Sequence, residues 1–355
     1  MQEEPFIAIH DLRVSNCLIE STVKKSKVKG EDSVRVLVTG GAGFIGSHLV
    51  DALLHSGHDV AVIDDLSSGV RENLPSGVRL FELDIRDESA VFNALKEFRP
   101  DAVSHQAAQM SVSRSVREPG FDAQVNILGL LNVMSAAIHV GAGRFVFASS
   151  GGVLYGETEL PAGEETPPAP ISPYGVSKLA GEHYLRFFTR EHGISSVALR
   201  YANVYGERQN PHGEAGVVAI FCTRLLKGDV ATINGDGKYV RDYVHVSDVV
   251  AANIHALTSE TKGFEALNVG TGIGTDVNQL ASRIHEACQA LLRRDGVKKE
   301  LPALIHGPAR AGDLRSNLIS YQKANTLWGW SPQVLIDQGV AQTAEWFGDH
   351  VLRSH

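Results

Sequence analysis

The sequence predicts an α/β protein: a doubly wound, Rossmann-type parallel sheet with a smaller C-terminal substrate-binding α/β lid domain. Three observations carry that prediction. From Val34 onward, short β-branched runs alternate with helical segments. A glycine cluster, Thr39-Gly40-Gly41-Ala42-Gly43-Phe44-Ile45-Gly46, sits between the first such run and the first helix. An acid, Asp64, ends the second run.

The elements follow in order. Val34-Arg35-Val36-Leu37-Val38-Thr39 reads as a buried strand ended by glycines. A helix is expected over residues 44–55, stopped by Gly57. Further strands are expected at 60–63, 78–83, 102–105, 144–148 and 196–199, with helices at 87–98, 120–139 and 174–192 between them. Pro100 lies just past the second helix. Beyond Tyr201 the texture loosens into Gly-, Asn- and Pro-rich loops at 206–216, 234–237, 268–274 and 308–312. The division is therefore 1–33 as an aperiodic N-terminal tail, 34–200 as the dinucleotide-binding domain, and 201–355 as mainly a substrate domain with possible return segments to the sheet.

Composition narrows the function. The 355 residues are 43% hydrophobic, enough for a large core plus a smaller one. A net charge of −8 with no long basic block argues against nucleic acid or an anionic membrane as partner. Cys17, Cys222 and Cys288 are far apart in sequence, which fits a reducing compartment and gives no metal signal. No apolar run is read as approaching the roughly 18–20 residues that span a bilayer. The first 33 residues lack the pattern of a secretory signal, so the expected location is the cytoplasm.

The glycine cluster contains both G-x-G-x-x-G (Gly41, Gly43, Gly46) and G-x-x-G-x-x-G (Gly40, Gly43, Gly46). Glycines admit a tight turn and close approach of a pyrophosphate, and the helix beginning at Phe44 and Ile45 aims its free N–H groups at it. Asp64 can accept both adenosine ribose hydroxyls and would repel a 2′-phosphate, which favours NAD over NADP. Asp84-Ile85 follows the third strand at the same edge: Asp84 as a partner for the adenine amino group with Ile85 against the ring, or Asp84 as a plain helix cap.

Tyr174-Gly175-Val176-Ser177-Lys178 opens a helix after Pro173. Positions i and i+4 share one helix face, and an ammonium beside a phenol stabilises the phenolate. A positively charged nicotinamide adds to this, bringing Tyr174 into range as a general base. The fifth strand ends in Ser149-Ser150-Gly151-Gly152, where a serine can hydrogen-bond a reacting sugar hydroxyl. Which of the two serines does so stays open.

With these segments in view, the sequence resembles the UDP-glucose 4-epimerase family, a branch of the NAD-dependent extended short-chain dehydrogenases. The resemblance runs from about Val34 to Pro332. It also includes His105-Gln106-Ala107-Ala108-Gln109, Val125-Asn126, Leu199 to Gly206, Arg241-Asp242-Tyr243-Val244-His245 and Arg310-Ala311-Gly312-Asp313. It implies NAD contacts at Gly40, Gly43, Gly46, Asp64, Asp84, Ile85, Ala107, Ala108, Gln109, Tyr174 and Lys178. It implies UDP-sugar contacts at Ser150, Asn126, Asn203, Val218, Arg241, Arg310 and Asp313. Arg241 and Arg310 suit a diphosphate, with a surface salt bridge as the plain alternative. Tyr174, Lys178 and Ser150 are the implied catalytic set.

Two positions depart from the family pattern: Gly151 stands where a Ser or Thr is usual, and Met110 where a Lys is common. Nucleotide-sugar dehydratases and decarboxylases need an acid after the strand-end hydroxyl, and Gly151-Gly152 cannot move protons, so the resemblance favours C4 epimerisation through a 4-keto sugar. A UDP-glucuronate 4-epimerase is the alternative that stays open. A non-catalytic NAD-binding sensor would be expected to lack Tyr174 or Lys178.

Four residues past Asp313, Asn317 replaces a bulky Tyr found in members restricted to glucose and galactose. That opens the pocket to an N-acetyl group. The family resemblance also implies a homodimer through helices 120–139 and 174–192. Val125, Leu128, Leu131 and Met134 are an apolar stripe that faces either a partner or the sheet.

Overall fold

The computed structural model describes residues 33–211, 216–309 and 314–352. The first half runs β1 (Arg35–Thr39), α1 (Phe44–His55), β2 (Asp59–Asp64), β3 (Arg79–Glu82), α2 (Glu88–Phe98) and β4 (Ala102–His105). It continues with α3 (Val112–Arg117), α4 (Pro119–Ala123), a π-helical turn at Gln124–Gly129, and α5 (Leu130–His139). Then come β5 (Arg144–Ser150), α6 (Gly151–Leu154), α7 (Pro173–His192) and β6 (Ser195–Tyr201). The second half holds β7 (Asn203–Tyr205), α8 (Val217–Lys227), β8 (Thr232–Asn234), β9 (Val240–His245), α9 (Val246–Thr258) and β10 (Phe264–Val269). It ends with β11 (Gly274–Asp276), α10 (Val277–Arg294), β12 (Ile305–Gly307), β13 (Ser316–Asn317), α11 (Gln322–Trp328) and α12 (Ile336–Leu352).

The main sheet is parallel, in the order β10-β6-β5-β4-β1-β2-β3. Strands 1–3 run outward one way and β4 returns to the other side of β1. The carboxyl ends of β1 and β4 therefore flank the point where strand order reverses, and a crevice for a ligand opens there. Register pairs Thr39 with His105 at that point. β10 comes from the second half, inside a stretch the sequence pattern assigned partly to a loop at 268–274. Phe264-Glu265-Ala266-Leu267-Asn268-Val269 mixes polar and apolar residues, yet its last four are buried against β6 and the helices around it.

Each face of the sheet has its own core. α1 and α9 cover Val38, Val62, Val146 and Leu199, whereas α2, α5 and α7 cover Leu37, Ile63, Phe145 and Phe147. A third core lies among α8, α10 and α12, with Phe221, Cys222, Leu280, Ile284, Cys288 and Phe347.

Two sequence expectations need correction. The helix spanning Pro119–His139 is long and apolar enough, by length and composition, to cross a membrane. Its apolar character is accounted for by the sheet and helices it packs on, and its Asp122 and Asn126 are hydrogen-bonded inside the protein. The stripe proposed for a partner is also split. Met134 is fully buried against the sheet, while Leu128 is 54% exposed.

Candidate active site at the carboxyl edge of the sheet

The β1–α1 turn is built for a pyrophosphate. Gly40 has φ +67°, and a Cβ there would lie 2.6 Å from the Ala107 backbone nitrogen. A Cβ on Gly46 would lie 2.1 Å from the Gly40 carbonyl oxygen. A side chain at either position would close the cradle. Gly43 precedes Phe44 without a side-chain cap, so the first N–H groups of α1, from Phe44 and Ile45 onward, face the turn and the helix's positive end.

Asp64 accepts from the backbone nitrogens of Ala42 and Leu66, both at 2.9 Å. Each carboxylate oxygen keeps a lone pair for a ribose hydroxyl. Burial is the main force on this carboxyl and pushes its pKa up, against the two backbone hydrogen bonds. The residues fit NAD.

Asp84 is engaged by Arg86, which meets both carboxylate oxygens, and it also accepts from the Arg86 backbone nitrogen at 2.8 Å. That closed pairing is the local-turn alternative to an adenine contact. Ile85 is buried against Gly129. Ala107 donates its N–H to Thr39 Oγ1, which also meets His105 Nδ1 at 2.9 Å, tying the ends of β1 and β4 together. Ala108 follows in the same loop and is partly exposed. His105, stacked on Phe147, is held neutral, its pKa pushed by burial down to about 3.

The Tyr174–Lys178 pair sits on α7, whose first turn is capped by Ser172 Oγ accepting from Gly175. Lys178 reaches back to donate to the Ala148 carbonyl at 2.8 Å, and its Nζ lies 5.6 Å from the centre of the Tyr174 ring. The end of β5 and the start of α7 are thereby one unit. Ser149 and Ser150 separate cleanly. Ser149 is buried and donates to Glu182 Oε1 at 2.6 Å, whereas Ser150, the last residue of β5, is partly exposed.

Burial and one nearby charge set the proton affinities of the pair. The protein's own groups do not bring Tyr174 into range. Burial, then the charge of Asp122, pushes the phenol pKa well above its ordinary value. Burial drags Lys178 down to about 8, with Asp122 opposing, so its ammonium persists at neutral pH.

Asp122 and Glu182, which the sequence reading missed, organise this unit. Asp122 is fully buried and accepts from Gln109 Nε2 at 2.9 Å, Asn126 Nδ2 at 2.9 Å and Ser177 Oγ at 2.6 Å. Asn126 also exchanges hydrogen bonds with the Gln109 backbone. The side chains of Gln109 and Asn126 are thus tied to Asp122 and to the loop around it. Glu182 takes two hydrogen bonds from Arg200, at 2.9 and 2.7 Å, besides that of Ser149. The signal was present in the spacing, since Asp122 stands four residues before Asn126 and Glu182 four after Lys178.

The candidate residues of the second half divide in the same way. Asn317 is buried, donating to the carbonyls of Gly151 and Gly152 at 3.3 Å each, and its Oδ1 has no partner. A Cβ on Gly151 would meet the Ile319 side chain at 2.6 Å, so the departure at that position goes with close packing of the segment that follows β13. Asn203 donates to the Asp242 carbonyl at 3.1 Å, joining β7 to β9. Arg241 is half-buried, and among the described residues it has no ion-pair partner. Val218 points into the third core at 1% exposure, so its side chain is not offered to a ligand. Arg310 and Asp313 lie outside the described residues.

Comparison with known proteins agrees with this geometry. The chain is 44% identical over 320 residues to a UDP-glucose 4-epimerase of Mycolicibacterium smegmatis, covering 88% of this chain and 98% of the relative. It superposes on the UDP-glucose 4-epimerase of Thermotoga maritima with UDP-glucose at a TM-score of 0.82 and 46% identity, covering 89% of this chain and 99% of that one. A UDP-N-acetylglucosamine 4-epimerase from Methanobrevibacter ruminantium, in complex with UDP-N-acetylmuramic acid, gives 0.81 at 32% identity, with 90% and 99% coverage. The family model described as the NAD dependent epimerase/dehydratase family matches residues 36–270, and the chain belongs to that family.

Proposed function

We propose that Tyr174, Lys178 and Ser150 carry the reaction of this enzyme, the NAD-dependent epimerisation of a UDP-sugar at C4 through a 4-keto sugar. The observation that carries the assignment is the Lys178–Ala148 hydrogen bond of 2.8 Å, which fixes the Tyr174 turn against the strand that ends in Ser150. NAD, bound by the β1–α1 turn and Asp64, supplies a reversible two-electron acceptor. Tyr174 takes the proton of the 4-hydroxyl and later returns it to the opposite epimer. Ser150 orients that hydroxyl, and the Lys178 ammonium stabilises the phenolate. Gly151 and Gly152 offer no second proton-transfer group, which supports epimerisation over elimination. Arg241 and Arg310 grip the diphosphate, with Asn203 and Asp313 at the nucleotide side.

The test is incubation of the purified protein with UDP-glucose, UDP-galactose, their N-acetyl forms and UDP-glucuronate, with products separated by chromatography. Interconversion of UDP-glucose and UDP-galactose is expected. A dehydrated or decarboxylated product, or none, would contradict the assignment.

The N-acetyl sugars belong in the expected range. The buried, unpartnered Oδ1 of Asn317 is an acceptor for an acetamido N–H or a 2-hydroxyl, and leaving it unmatched costs about 1–3 kcal/mol. We further propose a cytoplasmic homodimer that binds neither nucleic acid nor membrane. Val176, Tyr184 and Phe187 lie exposed along one face of α7, and Leu128 is exposed on the helix that precedes α5. Sedimentation at micromolar concentration should give a dimer, and a monomer there would refute the pairing.

A further inference from the structure

Asp122 is the fully buried carboxylate beneath the first turn of α7, and the epimerisation steps assign it no part. Oδ1 holds the Gln109 and Asn126 side chains, while Oδ2 holds Ser177, which stands between Tyr174 and Lys178 on the same helix. α4 packs directly on α7, so the carboxylate acts through a short, dry path. We propose that Asp122 is a positioning residue for the epimerisation, fixing the Tyr174–Lys178 turn through Ser177 and placing a buried carboxylate beside the pair. This rests on the reading of Tyr174 and Lys178 as the reacting pair.

The electrostatics agree with the geometry. Asp122 is the charge that acts on both members of the pair, raising the pKa of each against or with the effect of burial. Among the described residues, the other titratable group facing Lys178 is His105 at the end of β4, and it stays neutral. Removing one negative charge therefore has the same sign at both sites. Lys178 loses its proton at lower pH, and so does Tyr174. An activity that needs Tyr174 deprotonated and Lys178 protonated must shift its whole pH window toward acid. A purely structural role for Asp122 would lower activity and leave the window in place.

The experiment is the pH dependence of kcat for the NAD-loaded enzyme with UDP-galactose, compared with Asp122→Asn and Ser177→Ala. Asp122→Asn keeps the volume and removes the charge. Both limbs of its profile should move to lower pH by about one unit, with KM within about twofold of wild type. Ser177→Ala keeps the carboxylate and removes its shortest hydrogen bond, leaving its charge less compensated. It should move both limbs the other way, by a few tenths of a unit, and lower kcat about three- to tenfold. If Asp122→Asn does not yield folded holoenzyme, Ser177→Ala decides alone, and an unmoved profile there overturns the proposal. Unmoved limbs in Asp122→Asn overturn it as well. Tyr174→Phe is the control for the underlying reading. If it stays active, the reacting pair is misassigned; if it is inactive while the two profiles stay put, only the role of Asp122 fails.

Discussion

The cofactor cradle at β1–α1 and the Tyr174 centre on α7 lie at the same sheet edge but are made by different means. The cradle is backbone: Gly40 and Gly46 are excluded from any larger residue by atoms within eight positions or by the adjacent strand end, and Asp64 is held by two N–H groups. The Tyr174 centre is instead held by long-range partners, with the Ala148 carbonyl from β5 and the Asp122 carboxylate from α4 meeting side chains of α7, and Glu182 of α7 meeting Ser149 of β5. A site made of local backbone fixes its chemistry in a short motif. A site made of long-range partners fixes position in the motif and leaves the proton affinities to the rest of the molecule.

The largest effect should come from the side-chain centre. Tyr174→Phe removes only the proton-transfer group, so kcat should fall by about a thousandfold while NAD stays bound, as read by its retention through gel filtration. Activity near wild type would dissolve the contrast between the two regions. Gly46→Ala attacks the cradle instead. Its Cβ meets the Gly40 carbonyl oxygen, a backbone atom that cannot swing away. NAD binding measured by calorimetry should weaken about ten- to a hundredfold, equivalent to about 1–3 kcal/mol of overpacking. Unchanged affinity would mean that the turn is looser than its geometry.

The contrast explains what could be read in advance. The strands from 35 to 201 and the longer helices between them follow from periodicity and Gly or Pro stops, because each is a local pattern facing one core, whereas the short α3 and α6 were not foreseen. β10 was only partly legible, since Glu265 and Asn268 interrupt its apolar run and its place beside β6 is set by tertiary packing. Within the site, the Tyr174–Lys178 pair stood out by its i, i+4 spacing, whereas nothing local distinguished Ser149 from Ser150. The support that Gln109 and Asn126 give the loop was not legible, because nothing in the chain order reveals that Asp122 engages both side chains.

Smaller effects sharpen the comparison. Asn317→Tyr should remove activity on UDP-N-acetylglucosamine and spare UDP-glucose, as checked by chromatography of both reactions. Equal loss of the two would show that Asn317 matters for its hold on Gly151 and Gly152 rather than for space. His105 links the regions and stays neutral when folded, with a pKa near 3 against the ordinary 6.5. As pH falls below about 6.5 the unfolded chain takes a proton that the folded one refuses, so stability is lost on acidification at up to about 1.4 kcal/mol per pH unit from this group. Denaturant unfolding of His105→Asn should therefore show a shallower fall of stability toward acid, whatever its absolute stability. An identical slope would mean that His105 takes up a proton inside the folded protein.

The protein raises the phenol of Tyr174, and the bound dinucleotide must lower it for Tyr174 to act as a base. The direct measurement is the ultraviolet tyrosinate difference signal between wild type and Tyr174→Phe, titrated with pH with and without NAD. The midpoint should lie well above the ordinary tyrosine value without NAD and clearly lower with it. The same midpoint in both titrations would contradict it.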